Sequence, residues 1–130
     1  MTFQSLDLPG YLIAAIEKLS YEKPTAIQEQ AIPLILEGQD LIAESQTGSG
    51  KTAAFALPVI KLLNDLPPKK NNISVQVLAI APTRELALQV SASFKAYAQF
   101  SPNKLKVVSL IGGEPIDLQI RSLDKGADVA

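Results

Sequence analysis

Leu41-Ile42-Ala43 is an apolar run of strand length, Ser45-Gln46-Thr47-Gly48-Ser49-Gly50-Lys51-Thr52 is rich in glycine and hydroxyls, and Ala53-Ala54-Phe55-Ala56-Leu57 resumes with helix formers. A short buried strand that runs through such a loop straight into a helix constrains the fold more than any other feature of the 130 residues. The loop must turn tightly enough for several N–H groups to face one anion, and Gly48 and Gly50, having no Cβ, tolerate the positive φ this needs. The helix starting near Gly50 aims its unpaired N–H groups and positive dipole end at the same point. Lys51 adds a mobile cation, and the Thr52 hydroxyl suits Mg²⁺, which prefers a few protein oxygens together with phosphate oxygens. The spacing therefore predicts a loop around nucleotide phosphates, with Lys51 on the β- and γ-phosphates and Thr52 on the metal. Ser45 stands where the strict G-x-x-x-x-G-K-[ST] pattern has its first glycine, so the match rests on Gly50, Lys51 and Thr52, with Gly48 in support. The alternative is a plain Gly/Ser-rich turn, against which the flanking strand and helix argue.

The rest of the chain alternates in the same way. Leu12, Ile13, Ile16 and Leu19 recur at helical spacing between Pro9 and Leu19, with Asp7 as the expected N-cap. Thr25 is placed to cap a second helix carrying Ile27, Ala31 and Ile32, which Pro33 is expected to end or break, followed by a turn closed at Gly38. The phosphate-loop helix is expected from about Lys51 to Asn64 with a kink at Pro58, then a polar connection, Pro67-Pro68-Lys69-Lys70-Asn71-Asn72. Val75 to Ala81 reads as a strand, Arg84 to about Phe100 as a helix with Leu86, Val90, Phe94 and Tyr97 on one face, and Leu105 to Ile111 as a third strand. Gly112-Gly113 turns, Ile116 to Leu123 makes a short helix, and Asp128-Val129-Ala130 opens a fourth strand. Strands alternating with helices imply right-handed crossovers and a mostly parallel sheet flanked by helices, an α/β fold that binds ligands at the carboxyl ends of its strands. The expected organisation is a helical segment over residues 1–38 and a partial nucleotide-binding domain over 39–130, one domain overall and truncated within its last strand.

Composition removes several chemistries. A net charge of −1 gives no support for bulk electrostatic binding to nucleic acid, so any such contact must be local and made by a few donors. With no cysteine there are no disulfides, thiolate metal sites or cysteine nucleophiles; with no histidine there are no histidine metal sites or Ser-His-Asp triads. No apolar run approaches the ~18 residues of a membrane span, and Met1 to Ser5 lacks the start of a signal peptide. The expectation is a soluble, cytoplasmic protein.

Two further segments bear on the ligand. Pro24-Thr25-Ala26-Ile27-Gln28 reads structurally as a capping box, Thr25-x-x-Gln28, in which the glutamine reaches back to the N–H of the cap. It also reads as adenine recognition, because a glutamine amide offers one donor and one acceptor together, matching N6 and N7 of adenine. Pro82-Thr83-Arg84-Glu85-Leu86-Ala87 is accounted for as a helix start, with Thr83 as N-cap and Glu85 near the positive end. Arg84 is less expected there, since its charge opposes the dipole, and an arginine beside free helix N–H groups suits the phosphates of a nucleic-acid backbone. Gly112-Gly113 is either a simple turn or a place where a sugar-phosphate chain approaches backbone closely.

Taken in order, these segments resemble the DEAD-box family of RNA helicases. Phe3 resembles that family's isolated upstream aromatic, Tyr21 to Gln28 its Q motif, Ser45 to Thr52 its motif I, Ala81 to Ala87 its motif Ia, and Gly112-Gly113 its GG motif. The resemblance implies a RecA-like domain in an ATP-dependent, RNA-stimulated enzyme, and it shifts the reading of Gln28 towards adenine. It implies that Phe3, Tyr21, Lys23, Gln28 and the loop from Ser45, Gln46 and Thr47 through Gly48, Ser49 and Gly50 to Lys51 and Thr52 bind ATP, with Tyr21 stacked on the base. Lys51 and Thr52 would hold the β/γ-phosphates and Mg²⁺. Pro82, Thr83, Arg84, Gly112 and Gly113 would grip RNA phosphates without reading sequence, and a second RecA-like domain would be the partner. The family's Asp-Glu-Ala-Asp, Thr-Pro-Gly-Arg and Ser-Ala-Thr segments and its arginine fingers have no counterpart in these residues. An arginine finger is typically worth ~10³–10⁵ in phosphoryl-transfer rate. The chain alone is therefore expected not to hydrolyse ATP.

Overall fold

Packing is organised around the helix that leaves the phosphate loop. The computed structural model describes residues 1–67 and 74–130, so Pro68 to Asn72 of the expected polar connection lie outside the described residues. A 3-10 turn at Phe3–Leu6 precedes α1 (Gly10–Lys18), α2 (Ala26–Leu36), α3 (Lys51–Asp65), α4 (Arg84–Tyr97) and α5 (Ile116–Asp124). Helix α3 packs against α2 on one side and α4 on the other, and α1 also meets α4. That enclosure explains why α3 is apolar almost all round: Ala53, Ala54, Ala56, Leu57, Ile60 and Leu63 are all buried. Burying a side chain such as Leu57 or Ile60 is worth about 1.5–3 kcal/mol, so this helix anchors the core. Phe3, Leu12, Ile16, Ile32, Phe94 and Val129 complete it.

Several helix ends differ from the sequence expectation. Asp7 does not cap α1; it closes the 3-10 turn in the left-handed region at φ 57°, which Asp tolerates better than most residues. Pro9 takes the cap position instead, and its carbonyl accepts from the Leu12 and Ile13 N–H groups. Pro33 does not end α2, which runs on to Leu36. The proline removes a single bond, to the carbonyl of Glu29, while continuing the helix packs Leu36 against the core. Helix α4 stops at Tyr97, short of Phe100, because Phe94 and Tyr97 are the last residues of its core face and Phe100 is exposed.

Among the described residues the extended segments meet at two bridges and the backbone bonds around them. Val129 bridges Val77 and Val107, both in parallel. The Val77 N–H donates to the Asp128 carbonyl at 3.0 Å, while on the other side the Val108 N–H donates to the Val129 carbonyl at 2.9 Å. The segment around Val129 thus lies between those around Val77 and Val107, parallel to each. Leu41-Ile42-Ala43 departs from its expected burial. Ile42 is 95% exposed, and no bridge forms there among the described residues, because none of them lies alongside to pair with its backbone. Helix α5 buries no residue.

Candidate functional site

Gly50 joins the phosphate loop to the segment around Gln28. It has φ +87° and is the N-cap of α3, and an added Cβ would overlap the Gln28 amide nitrogen and lie 3.1 Å from Thr25 Oγ1. Glycine is required here for its dihedral and for the approach of a neighbour at once. Gln28 is only 3% exposed. Its Nε2 donates to the Gly50 carbonyl at 3.1 Å, and its Oε1 accepts from the Thr25 N–H at 3.1 Å. The capping-box reading is therefore correct, and the same amide also fixes the loop. The reciprocal approach of the Gln28 N–H to the Thr25 hydroxyl is too weak to satisfy that oxygen, which is buried without a full hydrogen bond.

Within the loop, the Lys51 Nζ donates to the Ser45 carbonyl at 2.7 Å and the Ser49 N–H to the Gln46 carbonyl at 3.2 Å. The hydroxyls of Ser45 and Ser49 pair with each other. Ser45, Gln46 and Ser49 thus brace the loop from behind. The other predicted members line one cavity of about 600 Å³: Phe3, Tyr21, Lys23, Gln28, Thr47, Gly48, Gly50, Lys51 and Thr52. Elements from three parts of the sequence converge there, within the size range of ordinary ligand pockets.

The far wall was not anticipated as part of the cavity, although its first residue, Leu86, lies in the segment resembling motif Ia. Leu86, Gln89, Ser93 and Tyr97 of α4 line the same cavity. Their spacing places them on one helical face, which is the only sequence signal they share. The Tyr97 and Tyr21 hydroxyls lie 3.2 Å apart, and their rings meet edge to face at 6.2 Å. Burial pushes the Tyr97 phenol well above its ordinary value, with the bond to Tyr21 adding to the shift, so it is neutral at physiological pH.

No carboxylate lines this cavity among the described residues, and no group of three His, Cys, Asp or Glu among them could hold a metal. Thr52 is the residue at the loop that fits a metal ion, and it suits Mg²⁺ arriving with phosphate oxygens. Asp128 lines a different cavity beside Lys104 and Lys106, and its Oδ2 accepts from the Lys106 N–H at 2.9 Å.

Pro82, Thr83, Arg84, Gly112 and Gly113 gather at a second, exposed place. Thr83 caps α4, its hydroxyl oxygen accepting from the Leu86 N–H at 3.1 Å, which leaves its O–H free to donate. Arg84 reaches across to the Gly112 carbonyl at 3.4 Å. Gly113 has φ +84°, and a Cβ there would lie 3.1 Å from the Arg84 guanidinium. The turn between them is held by Gln119, whose amide bonds the N–H and the carbonyl of Ile111 at 3.0 and 2.9 Å. The arrangement offers one cation, one hydroxyl and open backbone, which suits phosphate contacts without base reading.

The family model for DEAD/DEAH box helicases matches residues 25–130. The ATP-dependent RNA helicase DeaD of Haemophilus influenzae is 41% identical over 129 residues, covering 99% of this chain and 20% of that protein. A DEAD box protein from the hyperthermophile Methanococcus jannaschii superposes with a TM-score of 0.85 at 36% identity, over 100% of this chain and 34% of that one. The RNA helicase Prp28 from Chaetomium thermophilum, solved bound to ADP, gives a TM-score of 0.87 at 35% identity, over 98% and 31%. The chain spans about a fifth to a third of the length of these relatives.

Proposed function

The chain belongs to the DEAD/DEAH box helicase family, and from that premise we propose that its cavity holds the adenosine nucleotide of an ATP-dependent RNA helicase. The hydrogen bond between Gln28 and Gly50 carries the reading, because it brings a base-recognising amide and a phosphate loop into one cavity. Tyr21 stacks on the base, with Phe3 and the Lys23 backbone beside it, and Gln28 reads the adenine edge. The N–H groups from Thr47 to Lys51 surround the phosphates, and the Lys51 ammonium exchanges the Ser45 carbonyl for the β/γ-phosphates. Mg²⁺ bound to those phosphates would neutralise charge developing there, with the Thr52 hydroxyl as one of its ligands.

Pro82, Thr83, Arg84 and the Gly112-Gly113 backbone take RNA phosphates in this proposal, with a second RecA-like domain closing over both ligands. The reading places the protein in the cytoplasm, where ATP and RNA are supplied together; no helix among the described residues is long and apolar enough to cross a membrane. In this reading the 130 residues bind nucleotide without turning it over, because among the described residues no carboxylate lines the cavity to activate water or share the metal. Calorimetry with Mg²⁺-ADP and an RNA-stimulated ATPase assay test this together. Lys51→Ala is expected to weaken ADP by about 10- to 100-fold, the scale of a charged hydrogen bond. Absence of ADP binding, or ATP turnover by this chain, contradicts the proposal.

A further inference from the structure

Tyr97 belongs to none of the motifs, yet it is 4% exposed and lies at the back of the nucleotide cavity. A buried phenol needs a partner for its hydroxyl, and this one faces the hydroxyl of Tyr21 at 3.2 Å. The two rings adopt the edge-to-face arrangement, with centroids 6.2 Å apart and planes at 64°, which restrains ring rotation as well as position. Tyr21 itself is 40% exposed and lies in the short link between α1 and α2. Left alone, such a side chain samples several rotamers, and ordering it on binding a base costs affinity.

We propose that Tyr97 is a positioning residue for the nucleobase: its hydroxyl and ring edge hold the Tyr21 ring in the orientation that stacks on adenine. The inference rests on the nucleotide reading and deepens it, adding a residue that never touches the phosphates. Because α4 is continuous from Arg84 to Tyr97, roughly 20 Å at helical rise, the same contact fixes the base platform relative to the exposed Arg84 end.

The experiment compares binding of ADP and of inorganic tripolyphosphate by calorimetry, with a thermal melt of each variant. Tyr97→Phe keeps the ring and removes the hydroxyl. It is expected to weaken ADP by about two- to tenfold, the scale of one hydrogen bond, while the tripolyphosphate affinity stays as in the parent. Tyr21→Phe should weaken ADP by a similar or smaller factor, and the double variant should be no weaker than Tyr97→Phe, which removes the Tyr21 bond and also a contact to Ser93. Tyr97→Leu, which also loses the ring edge, should be weaker for ADP than Tyr97→Phe. Equal loss of ADP and tripolyphosphate would mark a general structural role and overturn the inference, as would an unchanged ADP affinity in Tyr97→Phe or additive losses in the double variant. If the parent chain binds ADP no better than tripolyphosphate, the nucleotide reading itself fails; if it does discriminate and Tyr97→Phe keeps the ratio, only the positioning role fails.

Discussion

At the phosphate loop one buried side chain, Gln28, ties two backbone segments together, whereas Pro82, Thr83, Arg84, Gly112 and Gly113 all stand in solvent. Gln28 is enclosed and bonded at both ends of its amide, and α3 behind it is packed on two sides. Arg84, by contrast, is exposed and holds a single long bond to Gly112, and α5 beyond it buries nothing. The difference suits two kinds of ligand. A base and a triphosphate, the proposed ligands of the cavity, must be oriented to a fraction of an ångström, which the prior anchoring of Gln28 serves. A nucleic-acid backbone gripped without sequence preference needs charge and open N–H groups more than fixed geometry.

The comparison breaks most sharply through stability. Leu57→Ala should cost about 2–5 kcal/mol in chemical denaturation, whereas Leu118→Ala on α5, 55% exposed, should stay within about 0.5 kcal/mol. Similar losses at the two positions would mean that α5 is packed more firmly than its exposure indicates. Gln28→Ala should cost about 1–3 kcal/mol of stability even without ligand, because it strands the Thr25 N–H and the Gly50 carbonyl. A thermal melt reads this directly, and no change would show that the amide does not brace the loop. Arg84→Ala should leave stability within about 0.5 kcal/mol and lower the slope of RNA affinity against salt by about 0.7, the value for one phosphate on a single strand. A large loss of stability there would place Arg84 with the buried group.

Helix positions and the turn at Gly48 and Gly50 were legible because periodicity and glycine spacing report local geometry. Thr25, Gln28, Gly50 and Thr83 act where their local patterns place them. The helix ends were less legible: Pro33 did not stop α2, whose last residue Leu36 packs on the core, and Asp7 closes a 3-10 turn that had no sequence signature, leaving the cap of α1 to Pro9. The strand at Leu41 was read from hydrophobicity, but burial depends on what lies beside a segment, and among the described residues nothing covers Ile42. The α4 wall and the Tyr21–Tyr97 contact were illegible for a related reason. They join positions 76 residues apart, and only tertiary packing brings them together.

The central claim is that Gln28 reads adenine within a site whose phosphates are held by Lys51. Competitive calorimetry with Mg²⁺-ADP and Mg²⁺-GDP on the parent chain and on Gln28→Ala tests it most directly. The account predicts that the parent prefers ADP by about 5- to 150-fold, the range for a bidentate amide–base contact, and that Gln28→Ala reduces the ratio to near one. Equal affinity for the two nucleotides in the parent, or a preference that survives Gln28→Ala, would contradict it.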